Sequence, residues 1–268
     1  MCMSGGLTMK KIMALILLVL MAGLVLAGCG ATETKAPAKK KIVIGLDDSF
    51  PPMGFRDEKN NIVGFDIDMA KEAAKRLGMD VEFKAIDWSS KEAELNGKRI
   101  DALWNGMNIT EERKKNVLFS EPYMESKQLI FVLAGSPIKS AADLAGKAVG
   151  VQQASIGEEV VLKDATLKNS LKEFKQYPDF IAAFMDLKTG RLDAVVTDEI
   201  LGRYYMSKEA GKYIAIEQPL GEVGTYGVGF RKEDTELRNK VQAVLDEMKK
   251  DGTSAKISTQ WFGTDIVK

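Results

Sequence analysis

Residues 98–106 read KRIDALWNG and residues 190–198 read GRLDAVVTD, so Arg99, Ile100, Asp101 and Ala102 have counterparts in Arg191, Leu192, Asp193 and Ala194. A single short match carries little weight, but the segments around it recur in the same order. KIVIGLD (41–47) is an apolar run ending in acids, which predicts a buried strand, and GKAVGVQQ (146–153) resembles it. GFDIDMAKEAAKRLG (64–78) is helical by period, with Phe65, Met69, Ala73 and Leu77 four apart and Gly78 as the stop. MDVEFKAID (79–87) alternates like a strand, and SSKEAELNG (89–97) reads as a short helix opened by a Ser89-to-Glu92 capping box. Strands alternating with helices predict an α/β class, with mainly parallel sheets flanked by helices. The repetition predicts two lobes.

A final helical stripe, Leu237, Val241, Val244, Leu245 and Met248, ends at Asp251-Gly252 and follows the strand-like GVGF. A chain that builds one lobe, then another, and then returns crosses between them twice. The expected boundaries are 41–127 with 223–268 for the first lobe and 128–222 for the second, with crossings near 125–127 and 219–224.

The start of the chain reads as an address. Lys10 and Lys11 precede an uncharged apolar run at 12–27, and Leu26-Ala-Gly-Cys29 follows. A basic start, an apolar run too short to span a membrane and small residues before a cleavage point describe a secretory signal over 1–28. Met9 is the expected true start. ATETKAPAKKK (31–41) is a polar spacer, so 29–40 is expected to serve as linker. Cleavage before Cys29 would leave 240 residues without a further cysteine, so the core must hold without disulfides. With Lys10 and Lys11 gone, 36 basic residues face 38 acidic ones, which argues against a nucleic-acid partner. The chain has no histidine, and its acids are spread through helix starts, so no metal site and no cofactor are expected.

In open α/β sheets, ligands sit beyond the carboxyl ends of strands. That rule selects Asp47, Gly106 and the stretch after it, 153–156, and Asp198, drawn from both halves. Thr110 can cap a short helix and Arg113 follows three residues later, which together could grip a carboxylate. Read alone, Arg113 is better explained by a helix surface shared with Glu111 and Glu112. Asp198 could take an ammonium or simply cap the helix beginning at Glu199. Phe50 and Trp88 could sandwich a flat or aliphatic side chain, a guanidinium especially.

Taken together, DDSFPPMGF, GFDIDMAKEAAKRLG, IDWSSKEAELNGKRIDALWNGMNITEERKKNVLFSEPY, GKAVGVQ and GRLDAVVTDE resemble the amino-acid-binding proteins of bacterial ABC importers. The similarity runs in order from about residue 41 to 262. It implies the two-lobe, type II periplasmic-binding-protein fold. It also implies that Arg113 binds the ligand α-carboxylate with backbone help from Gly106 and Asn108, and that Asp198 binds the α-ammonium. Phe50 and Trp88 would flank the side chain, with Asp47 at its polar end. Ala154-Ser155-Ile156 stands where the family commonly has Gly-Thr-Thr; Ser155 is kept as a carboxylate contact. Acids near two aromatics favour a cationic or amide side chain, arginine first.

The resemblance further implies lipid modification of Cys29 (palmitate included) with anchoring outside the cytoplasmic membrane. It implies delivery to an ABC permease; a monomer is expected. The rivals are an enzyme on the same fold, such as a dehydratase, and a structural or adhesive lipoprotein without a ligand.

Overall fold

The computed structural model describes residues 40–268. The leader, Cys29 and most of the tether lie outside the described residues. The architecture comprises two five-stranded sheets with helices packed on their faces. The first sheet runs in the order Asp80–Ala85, Lys41–Leu46, Ala102–Leu103, Gly229–Arg231, Val117–Phe119. The second runs Glu173–Tyr177, Ala148–Gln152, Ala194–Asp198, Gln128–Leu133, Tyr213–Ile216. In each sheet the second strand pairs parallel with both its neighbours, and the other two pairings are antiparallel. The sheets are therefore mixed: strands linked by crossover helices run parallel, while those entering from the opposite lobe run against them.

The repeated Arg-x-Asp-Ala frame does the same work twice. Asp101 Oδ2 accepts the Val43 amide at 2.9 Å, and Asp193 Oδ2 accepts the Ala148 amide at 2.8 Å. Each aspartate ties the entry of its own strand to the start of the neighbouring parallel strand. Ile42, Ile44 and Leu46 alternate inward at 3, 1 and 0 % exposure, so a run that is apolar in sequence becomes the core of the first sheet.

The Phe65–Arg76 helix buries Phe65, Ile67, Met69, Ala70, Ala73 and Ala74, and stops where Gly78 turns to φ +66°. The Thr235–Lys250 helix buries Val241, Val244, Leu245 and Met248, at roughly 1.5–3 kcal/mol for each large side chain. A further helix, Thr253–Phe262, follows between two left-handed glycines, Gly252 and Gly263. The capping box at Ser89 does not form. Asp87 accepts the Ser89 amide at 2.8 Å and starts a 3-10 turn, Trp88–Ser90, so Ser89 falls inside the turn instead of ahead of it. Glu92 accepts from Asn116 Nδ2 at 3.1 Å instead.

The chain passes between the sheets through Met124–Ser126 and Gly224–Tyr226, which pair antiparallel as a two-stranded ribbon. In the second lobe, a Cβ at Gly202 would fall 2.0–2.4 Å from ring atoms of Phe131, which is fully buried. Gly202→Ala should therefore overpack the core by about 1–3 kcal/mol and lower Tm by about 2–12 °C in a calorimetric scan. An unchanged Tm would mean that the Phe131 ring has room to swing away.

Candidate functional site

The carboxyl ends of the two sheets face each other across a cavity of about 20 Å³. Asp47, Phe50, Trp88, Gly106, Asn108, Arg113, Ser155 and Asp198 all line it. The fold thus gathers around one space every residue singled out from the sequence as a ligand contact. Asn105, Gln128, Gln152, Ile156 and Phe180 complete the wall.

Arg113 sits on the short Glu111–Asn116 helix, whose start Thr110 caps by accepting the Arg113 amide at 3.2 Å. The side chain leaves the solvent face and is 5 % exposed. Nη1 donates to the Asn108 carbonyl at 3.1 Å, while Nη2 donates to the Ala154 carbonyl at 3.2 Å and reaches Glu159 at 3.5 Å. A guanidinium carries more N–H donors than these three contacts use, so it can still receive an anion. Burial lowers its proton affinity from the usual arginine value, against the opposing pull of Glu159 and Glu92.

Asp198 closes the Ala194–Asp198 strand and caps the Glu199–Lys208 helix, with Oδ1 accepting the Ile200 amide at 2.9 Å. Its other oxygen accepts Ser126 Oγ at 2.6 Å and Gln128 Nε2 at 3.3 Å. Capping and a place in the cavity are therefore compatible, because the two carboxylate oxygens divide the tasks. Burial raises the carboxyl to about 6, against the donors that hold its anion. Asn108 Nδ2 donates to Ser126 Oγ at 2.7 Å, so Asn108, Ser126 and Asp198 form one buried relay between the lobes.

Gly106 sits at φ +53°, where a Cβ would meet the Phe50 ring at 3.0 Å; glycine alone suits both demands. Beneath it lies Asp66, which the sequence reading missed. Its Oδ2 accepts the Gly106 amide at 2.6 Å and Tyr123 Oη at 3.0 Å, and burial raises it to about 7. Asp66 reads in sequence as one more polar position near a helix start, and only the helix period placing it beside Phe65 hinted that it turns inward.

At another part of the wall, the Phe50 and Phe180 rings stand 6.1 Å apart, tilted at 54°. Asp47 is buried; Ser49 binds it through its amide at 2.9 Å and its hydroxyl at 2.5 Å, and Gln152 Nε2 from the second sheet donates to it at 2.6 Å. Burial raises its carboxyl above the usual range. Phe180 and Gln152 lie at or just past the ends of second-lobe strands, so the strand-end rule could have found them. Ser155 accepts the Glu158 amide at 3.1 Å as a helix cap, which leaves its hydroxyl hydrogen free to donate. Among the described residues no group of three or more acids, cysteines or histidines could hold a metal. A guanidinium with donors to spare, a carboxylate and an aromatic compartment around one cavity together suit a small zwitterion.

Comparison with known proteins places the fold in a family. The model of the bacterial extracellular solute-binding proteins, family 3, matches residues 42–264. The L-cystine-binding protein of Escherichia coli K12 is 32 % identical over 238 residues, covering 87 % of each chain. The arginine-binding extracellular protein of Bacillus subtilis is 33 % identical over 241 residues, covering 88 % of this chain and 92 % of its own. A substrate-binding protein of an ABC uptake transporter from Streptococcus pneumoniae, solved with bound histidine, superposes with a TM-score of 0.82 at 38 % identity. That match covers 85 % of this chain and 94 % of the other.

Proposed function

The chain belongs to family 3 of the bacterial extracellular solute-binding proteins, and on that premise we propose that it captures an L-amino acid for an ABC importer. One observation carries the reading: Arg113 and Asp198, opposite in charge and held by different sheets, line the same small cavity. Arg113 takes the α-carboxylate with Ser155 and the backbone at Gly106 and Asn108, and Asp198 takes the α-ammonium. Charge-assisted hydrogen bonds contribute about 1.5–3 kcal/mol each, so the headgroup alone can supply much of the affinity. Because the two charges come from different lobes, the ligand stabilises the state in which they meet.

The side chain enters between Phe50, Trp88 and Phe180 toward Asp47. Arginine fits this compartment first, its planar cation stacking on the rings and ending at a carboxylate; lysine and glutamine follow. A thermal-shift screen against the twenty amino acids and cystine tests the choice. Arginine should give the largest rise in Tm; no shift with arginine, or a larger one with cystine or histidine, would replace it.

The protein works as a monomer outside the cytoplasmic membrane, tethered through lipid on Cys29 and the spacer that follows, and hands its ligand to the permease. Its role is carriage without turnover. Asp198 serves as the counter-charge of the ammonium. Mass spectrometry of the released ligand should show it chemically unchanged.

A further inference from the structure

We propose that Lys91 is a positioning residue for capture: joining of the lobes buries its ammonium against the Ala154 carbonyl of the opposite lobe, beside Arg113, and so makes closure unfavourable until a carboxylate arrives. The inference rests on the amino-acid-binding reading of the cavity.

Lys91 opens the Lys91–Asn96 helix and is only 5 % exposed. Its Nζ donates to the Ala154 carbonyl at 3.1 Å and the Trp88 carbonyl at 3.3 Å, and lies 5.2 Å from the Trp88 ring centroid. Among the described residues, no carboxylate forms an ion pair with it. Carbonyl dipoles and a ring face return only part of what an ammonium loses on leaving water. The Ala154 carbonyl also accepts Arg113 Nη2 at 3.2 Å, so two cations converge on one oxygen. Glu159, at 3.5 Å, is the ion-pair partner of Arg113. The Ala154 turn is fixed from its own side, its amide donating to Glu158 Oε2 at 2.6 Å, so it cannot retreat from the cations.

Parting of the lobes would remove Ala154 and return the ammonium to water, whereas a ligand carboxylate on Arg113 would supply the missing negative charge. Burial first, and the like charge of Arg113 second, lower Lys91 to about 8. Glu92 on its own helix and Glu158 and Glu159 on the facing helix oppose the shift, and Asp87 also lies within its field. The closed form therefore holds its proton less firmly than the open form, whose solvated lysine keeps the ordinary value of 10.5. Opposition to closure is full below about pH 8 and fades as pH rises toward that ordinary value.

The test is single-molecule FRET between dyes on the two lobes of the unliganded protein, with Lys91→Met and Lys91→Gln compared with wild type. The fraction closed should rise at least tenfold in both variants. It should rise with pH between 7 and 9.5 in wild type and stay flat in the variants. The preference for L-arginine over L-argininamide, which lacks the carboxylate charge, should narrow at least fivefold. Variants as open as wild type at every pH would overturn the proposal; so would variants more open than wild type, which would make Lys91 a latch. The unliganded comparison needs no amino acid, so a protein that binds none would defeat the receptor reading while this measurement still decides the role of Lys91.

Discussion

Arg113→Ala abolishes measurable amino-acid binding and leaves the fold in place. In the proposed clamp the guanidinium meets the α-carboxylate inside the cavity, and its loss would remove two charge-assisted hydrogen bonds. That is about 3–6 kcal/mol, or roughly 10²- to 10⁴-fold in Kd. The fold survives because Thr110 caps the helix through the backbone amide of residue 113, which alanine retains. The carbonyls of Asn108 and Ala154 lose one donor each, and water can replace it in the space vacated. Titration calorimetry should show no heat up to millimolar ligand, with Tm within a few degrees of wild type. An unchanged Kd would remove the carboxylate clamp from the mechanism.

Asp198→Asn weakens binding by roughly 10- to 150-fold, the equivalent of about 1.5–3 kcal/mol for one charged hydrogen bond. The amide keeps the shape and, through its own oxygen, the helix cap, while its NH2 meets Ser126 and Gln128 as a donor where the carboxylate accepted from both. A pH series separates this role from a structural one. Burial places the unliganded carboxyl at about 6, and only its anion attracts an ammonium. The complex thus holds fewer protons at this site than the empty protein, and wild-type affinity falls as pH drops through 6. The asparagine variant should lack that acid limb. A variant with the same pH profile as wild type would place the ammonium elsewhere.

The elements that were plain in the sequence are those whose pattern one strand or helix determines. Residues 41–47 read as an apolar run, and Val241, Val244, Leu245 and Met248 recur at helical spacing; both patterns were legible because each lies within one element. The Asp101 and Asp193 frames were visible as a repeat, though their task of tying adjacent strands required the pairing to be seen. At Ser89 the expected cap gave way to Asp87, two residues earlier, which accepts the Ser89 amide and draws Ser89 into a 3-10 turn. Gln128 on the cavity wall and Asp66 beneath it were hidden for another reason. Gln128 and Asp66 matter through partners far along the chain, 70 and 40 positions away, and no local spacing marks a side chain that turns toward such a partner.

The Gly229–Arg231 strand lies inside the first sheet, between Ala102–Leu103 and Val117–Phe119. Synthesis from the N-terminus therefore delivers the whole second lobe before the first can close its central seam. A chain that ends just short of residue 229 leaves the first sheet with a gap in its middle, so that sheet is completed only after the second lobe has been made.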